Sequence, residues 1–518
     1  NFYAVSGGEP AETAEEAEES DAEAAAPSAS SPPPPPLETQ RLYLAIFIDN
    51  RSLAPAGRNL ILESVKEFIA KLQPEDRVLL ASYDGSVQIR QGLTGDPAAI
   101  GAALAEAARV APGAMSRDAD RQSLVRRLDA EDPVNFGEPG GESNNQRREA
   151  AIFVADQLFQ EIRTYAQQRS DETRGALQAL REFVDSLAGL PGRKALLYVS
   201  GGYSLRPAEA LLRAWENKFS ALKERVQFSP FDAFQSDAQR WIQELVDYAN
   251  SSRVTFYTLG ATTELAGVSA ESRGSAAFSS DLEVTERTNL QSPLLMIADG
   301  TGGLASVDGP GRPLLDRMRE DFDSYYSLGY VPRKGRDGRK RSVEVKMRDR
   351  ALVVRHRTAH RERTNPERMA SRTMAALLLG EESNPLELAL EFGKEKKNDK
   401  GQYEVEVLIK FPLVRLVLLP KEQFHEGRLT VTVGARDSHG RTSPIQRIEI
   451  PIRVPNDQLL TALGQMGAYR MTLLLRPEGH TVAVAVHDEL GHADSTVKAD
   501  HTPGQQPAAE PTEASPGS

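Results

Sequence analysis

A layered α/β domain with a mainly parallel sheet, followed by an antiparallel β-sandwich, is expected from three features of this 518-residue chain. Before Pro385, continuous apolar runs that end in Asp or Gly alternate with amphipathic helical stripes. Strands buried on both faces read this way, and their alternation with helices builds a parallel sheet. After Pro385 the pattern changes to period-two alternation at short spacing, as in antiparallel sheets with one face buried. At roughly 150 residues per domain, the length suits about three units including tails.

Residues 1–40 are rich in Ala, Glu, Ser and Pro and end in Pro32 to Pro36, so they are expected to be a disordered acidic linker. Leu42–Ile48 is a first buried strand, closed by Asp49 and Asn50. Pro55 suits the first turn of the next helix, whose stripe is Leu60, Ile61, Val65, Phe68, Ile69 and Leu72. Arg77–Tyr83 is a second strand, and Asp84-Gly85 predicts a hairpin that returns Val87–Arg90 antiparallel at an edge. Thr173–Leu190 predicts a helix, Lys194–Ser200 and Arg253–Leu259 two more buried strands, and Leu294–Asp299 and Pro313–Tyr325 further helices. Two inserts are expected, at 113–148 and 205–250, the second with helices Ala208–Val226 and Asp232–Tyr248. The α/β domain then spans 41–363, a helical connector 364–384, the β-sandwich 385–500 and a disordered tail 501–518.

Composition excludes several chemistries. Lys plus Arg is 62 against 74 acids, a net charge of −12, which argues against a general nucleic-acid binder. Residues 1–40 hold nine acids and no base, so the remaining chain carries only −3. Cysteine is absent, which removes disulfides, thiolate metal sites and Cys nucleophiles. All eight histidines follow residue 355, leaving carboxylates, Lys and Tyr as the acid–base groups of the α/β domain. No apolar run reaches the ~20 residues of a transmembrane helix. The start at Asn1 reads as a processed chain or a fragment.

The α/β part resembles a von Willebrand factor type A domain, and more narrowly the VWFA-related proteins of Acidobacteria and neighbouring phyla. The resemblance rests on Leu44–Asn50, Pro74–Leu80, Leu190–Gly202 and Val254–Leu259, and most specifically on Asp323–Tyr330 with its following strand Arg341–Met347. Tyr469–Leu473 and Val484–Gly491 extend it into the β-rich region. It implies an exported protein, with Asn1-Phe2-Tyr3 as the end of a small β domain upstream.

Type A domains often hold Mg²⁺ at the carboxyl ends of the strands. They do so through Asp-x-Ser-x-Ser, a second-loop Thr and an Asp after the fourth strand. Here Asp49 matches the first Asp, but Arg51 and Leu53 replace the serines, and Ser52 is one residue out of phase. Thr173 matches the second-loop Thr by opening its helix, and Ser200-Gly201-Gly202 lacks the last Asp. A cation beside Arg51 would be repelled by roughly 1–4 kcal/mol per unit charge. A metal-free site is therefore expected, with no cofactor, and Arg51 pairing with Asp49 is one way to replace the ion. Asp49-Asn50 as a strand-end turn capping the next helix is the competing structural reading.

Asp49, Asn50, Arg51, Ser52, Thr173 and Ser200 are thus the candidate binding residues for a protein or glycan partner. The function expected is a non-catalytic, exported interaction or adhesion scaffold. A metal-assisted hydrolase or other enzyme using insert carboxylates, and a purely structural envelope component, are the alternatives. His487 and His492 are expected in a solvated hairpin loop rather than a metal site. The basic run 333–363 is expected to be a solvated strand pair. Tyr325, Tyr326 and Tyr330 are expected to pack the last helix and strand, and Gly300–Gly303 lacks the Lys-Ser/Thr of a phosphate loop.

Overall fold

The computed structural model describes residues 2–6, 42–73, 75–131, 142–190, 192–219, 238–261, 276–307, 309–328, 339–349 and 351–504. The expected linker at 7–40, the tail from 505, Tyr330 and much of both inserts lie outside them. The chain divides into two compact units, residues 1–184 with 192–362 and residues 185–191 with 363–518.

In the first unit, β1 (Phe2–Ser6) is set apart from the main sheet. The main sheet takes β2 (Tyr43–Asp49), β3 (Arg77–Tyr83), β4 (Val87–Thr94), β5 (Lys194–Ser200), β6 (Val254–Gly260) and β7 (Leu304–Ser306) in the order β4-β3-β2-β5-β6-β7. All pairings are parallel except β3 with β4, the antiparallel edge that Asp84-Gly85 predicts. This is the Rossmann-like sheet expected from the continuous apolar runs. β2, β5 and β6 are buried along their whole length because helices cover both faces.

Successive side chains of a strand point to opposite faces. Leu44, Ile46 and Ile48 therefore join Ile61, Val65, Phe68 and Leu104 on one side. Phe47 turns the other way and meets Phe183 and Tyr198, with ring centroids at 4.9 and 5.9 Å.

Several boundaries differ from those expected. Helix Glu142–Ala188 begins well before Thr173, because its apolar stripe continues upstream through Ile162, Phe159, Leu158 and Ala155. Within the first insert, residues 114–130 are helical. These helices and Glu209–Lys218 build their own small core around Trp215, whose Nε1 donates to Ala155 O at 2.8 Å. The inserts thus bury apolar surface against each other. Helix Ala238–Ser251 is not part of an insert but a layer helix, with Ile242, Leu245 and Val246 buried.

β8 (Ser324–Leu328) pairs antiparallel with β1, so Phe2 and Tyr3 belong to a strand of this unit rather than to an upstream domain. Tyr326 is 70% exposed and does not pack the last helix. β9 (Lys340–Ser342) and β10 (Ala359–Arg361) form a short antiparallel pair within the basic run.

The second unit is a sandwich. One sheet holds β11 (Ala389–Lys397), β12 (Tyr403–Pro412) and β16 (Met466–Leu475). The other holds β13 (Leu419–Pro420), β14 (Phe424–Asp437), β15 (Gln446–Pro455), β17 (His480–Asp488) and β18 (Asp494–His501). Val405, Val407 and Ile409 share one core with Val431, Val433, Val482, Val484 and Val486.

Helix Asn365–Leu379 is not a connector. Ala376 and Leu377 pack on Ala483, and Thr373 bonds Thr432 at 2.8 Å, so the helix covers the outer face of the five-stranded sheet. A capping box, Thr364 with Glu367, starts it, and Gly380 in the left-handed region ends it. The small residues Ala483 and Ala485 on β17 leave room for this third layer.

His487 is likewise not solvated: it is 1% exposed on β17, beneath that helix. Its Nδ1–H donates to Asp494 Oδ1 at 2.5 Å, and its Nε2 accepts from Asn365 Nδ2 at 2.9 Å. Asp494 also receives Arg368 at 2.7 Å and Arg372 at 3.2 Å.

Candidate functional site

Asp49 ends β2 at the carboxyl edge of the parallel sheet, where open α/β folds place ligand sites. It is fully buried. Its Oδ2 accepts from Ser200 Oγ at 3.1 Å, Tyr203 OH at 3.0 Å and Tyr198 OH at 3.3 Å. Its Oδ1 accepts from the Ser52 backbone N–H at 3.3 Å.

Ser52, one residue out of phase in the sequence, is brought in by the turn that follows Asp49. Its Oγ lies 2.9 Å from Ser200 Oγ, donates to Asp49 O at 3.1 Å and accepts from Gly201 N–H at 2.8 Å. Gly202 N–H donates to Ser200 Oγ at 3.1 Å.

The two phenols carry no sequence signal of a site; Tyr198 reads as a strand residue and Tyr203 as loop. Their hydroxyl oxygens also adjoin each other, so the two phenols cluster on one carboxylate oxygen. Burial, and then the Asp49 charge, push both phenols well above the ordinary tyrosine value. They stay neutral and act as donors, and so offset the buried carboxylate without a cation.

The absence of an Asp after β5 has a steric cause. A Cβ on Gly201 would lie 2.0 Å from Ser52 O, and a Cβ on Gly202, at φ +85°, 2.0 Å from Leu290 O. The loops close so tightly that only glycine fits at both positions.

Three other expected residues sit differently. Arg51 is half exposed and faces Glu172 at 3.8 Å, so it does not pair with Asp49. Asn50 points into the protein, where its Oδ1 accepts from Arg58 Nη1 at 3.3 Å. Neither Asp49 nor Asn50 caps the next helix, which starts at Ala54 without a side-chain cap. Thr173 lies inside its helix, and its hydroxyl donates to Arg169 O at 2.9 Å.

Above the network lies an open cleft of about 180 Å³. Arg51, Tyr83, Tyr165 and the Arg169–Glu172 pair (2.9 Å) line it, with Arg117 and Glu286 at its far side. Burial pushes the Glu286 carboxyl up, opposed by Arg121 and Arg117.

This donor set does not fit a hard divalent ion. Mg²⁺ demands near-octahedral oxygen ligands with free lone pairs. Here Asp49 Oδ2 already accepts three hydroxyl hydrogens, and both serine oxygens accept backbone N–H groups.

No family model matches the sequence, and no curated protein matches it. Among solved structures the chain is similar to an aerotolerance-related membrane protein from Bacteroides fragilis, at 8% identity and a TM-score of 0.24, over 54% of this chain and 98% of that one. It is also similar to a von Willebrand factor type A structure from Catenulispora acidiphila, at 10% identity and TM-score 0.21, over 89% and 66%. A third is the N-terminal part of the type V pili tip protein Mfa5 from Porphyromonas gingivalis, at 10% identity and TM-score 0.28, over 89% and 70%. Likenesses this distant carry nothing about function. Among the described residues no helix is long and apolar enough to cross a membrane.

Proposed function

We propose that this chain is a non-catalytic, exported binding scaffold that takes a protein or glycan partner in the cleft above Asp49, without a metal ion. One observation carries the reading: the oxygens of Asp49, Ser52 and Ser200 at the strand ends are committed to internal hydrogen bonds. Asp49 is saturated by internal donors, and Ser52 and Ser200 bond each other and the backbone. A nucleophile needs a base free to take its proton, and the carboxylate beside Ser200 Oγ, Asp49 Oδ2 at 3.1 Å, is fully buried and shared with Tyr203 and Tyr198.

The cleft wall offers Arg51, Tyr83 and Tyr165 instead, residue types that anchor interfaces through large contact area and forked hydrogen bonding. Asp118 is an insert carboxylate near the cleft, and it pairs with Arg117 at 3.9 Å; this favours binding over hydrolysis.

Two measurements on the full chain test the reading. Calorimetric titration with Mg²⁺ is expected to give no saturable heat; saturable binding that disappears in Asp49→Ala overturns the metal-free reading. Binding of labelled protein to the envelope fraction of its source cells is expected to fall about tenfold in the Arg51→Glu/Tyr83→Ala double variant. Unchanged binding overturns the assignment of the cleft.

A further inference from the structure

At the opposite, amino-terminal end of the sheet, three arginines are brought close together by separate segments. Arg193 and Arg253 immediately precede β5 and β6, which pair in register from Lys194 and Val254. The two arginines are therefore neighbours across one strand spacing, about 4.8 Å. A third comes from the segment before β10. That segment lies against the turn at Gly302, where a Cβ would stand 2.7 Å from His356 C and 3.1 Å from Arg357 N. Thr358 Oγ1 ties it down by donating to Gly300 O at 3.0 Å. Arg357 is thereby brought close enough to Arg193 and Arg253 for both to repel it.

Two acids lie near this end, Asp321 and, beside His360, Glu362; Asp321 is already engaged. Asp321 accepts two bonds from Arg355 and one from Tyr257 OH at 2.9 Å, and its backbone oxygen takes Arg193 Nη1 at 2.8 Å. Among the described residues, the side chains of Arg253 and Arg357 have no hydrogen-bonding or carboxylate partner. Arg253 is also held in the left-handed region, at φ 57°, where a long side chain is rarely found. Strain of this kind persists where the surroundings impose it. Burial first, and then Arg253 and Arg193, lower Arg357 to about 10; burial, then Arg253, Arg357 and Arg341, lower His360 against the opposing charge of Glu362.

We propose that this end of the sheet is an anion site in which Arg193, Arg253 and Arg357 receive a phosphate dianion, either free or carried on a lipid headgroup. Two unpartnered guanidiniums match a charge of −2. Three guanidiniums offer more donors than a planar carboxylate uses, since a single fork satisfies a carboxylate, and suit a tetrahedral group with several acceptor oxygens. The site lies apart from the cleft and does not depend on the function proposed for it.

The test uses the full chain at constant ionic strength, with inorganic phosphate replacing chloride. Phosphate is expected to raise the melting temperature saturably, as a ligand specific to the folded state does. Arg357→Gln is expected to melt no lower than the parent without phosphate, since a repelled charge is removed. It should bind phosphate about tenfold or more weakly. Arg253→Gly, which also relieves the left-handed strain, should behave alike.

Vesicles of phosphatidylcholine with phosphatidic acid separate the two sources. Co-flotation that requires Arg357 assigns a headgroup; a phosphate response without flotation assigns a soluble anion. A parent that responds to neither probe, or an Arg357→Gln protein that keeps the full response, overturns the proposal.

Discussion

Tyr203 donates its hydroxyl to Asp49 Oδ2 at 3.0 Å, from five residues beyond its fellow donor Tyr198 and across the mouth of the β5 loop. A buried carboxylate is costly unless it is paired or fully hydrogen-bonded, and here neutral hydroxyls do the work of a counter-ion.

Tyr203→Phe and Tyr198→Phe are each expected to destabilise the first unit by about 1–3 kcal/mol, since each leaves the carboxylate one donor short. The double variant should depart from the sum, because the two phenols are in contact and share one acceptor oxygen. Urea unfolding of the three variants measures this. The raised phenols give a second signature. Above pH ~10 the unfolded chain loses phenolic protons that the folded chain keeps, so stability falls as pH rises. Absorbance titration should show these two tyrosines ionising only on unfolding.

Gly201→Ala is expected to cost about 3 kcal/mol or more, because its Cβ would meet Ser52 O at 2.0 Å and the obstacle is backbone. Thermal melting checks it. A loss below about 1 kcal/mol would show that the two loops can part.

Asp494→Ala should destabilise the second unit by about 3 kcal/mol. It leaves His487 Nδ1–H, Arg368 and Arg372 without their shared acceptor under the helix Asn365–Leu379. Hydrogen exchange should show that helix losing protection first.

Asp437 accepts backbone N–H bonds from His439 and Arg441 and the Arg441 guanidinium at 2.6 Å. These outweigh its desolvation and hold its carboxyl down to about 2. A carboxyl lower in the folded state than in the unfolded state stabilises above ~4, and that contribution is lost as pH falls toward 2. Asp437→Asn should flatten the acid limb of the stability curve across that window. An unchanged limb would assign the acid sensitivity elsewhere.

The chain order by itself determined the architecture. Strand and helix periods are local properties, so the buried runs at Leu42–Ile48, Lys194–Ser200 and Arg253–Leu259, and the alternation after Pro385, were legible without coordinates. It also marked Asp49, Ser52 and Ser200. Long-range approach decided the rest. That Arg51 meets Glu172, that two tyrosines close over Asp49 and that the segment at Arg357 lies against the turn at Gly302 all depend on residues far apart in sequence. No period or spacing encodes such contacts, because they are set by how closely separate loops can pack.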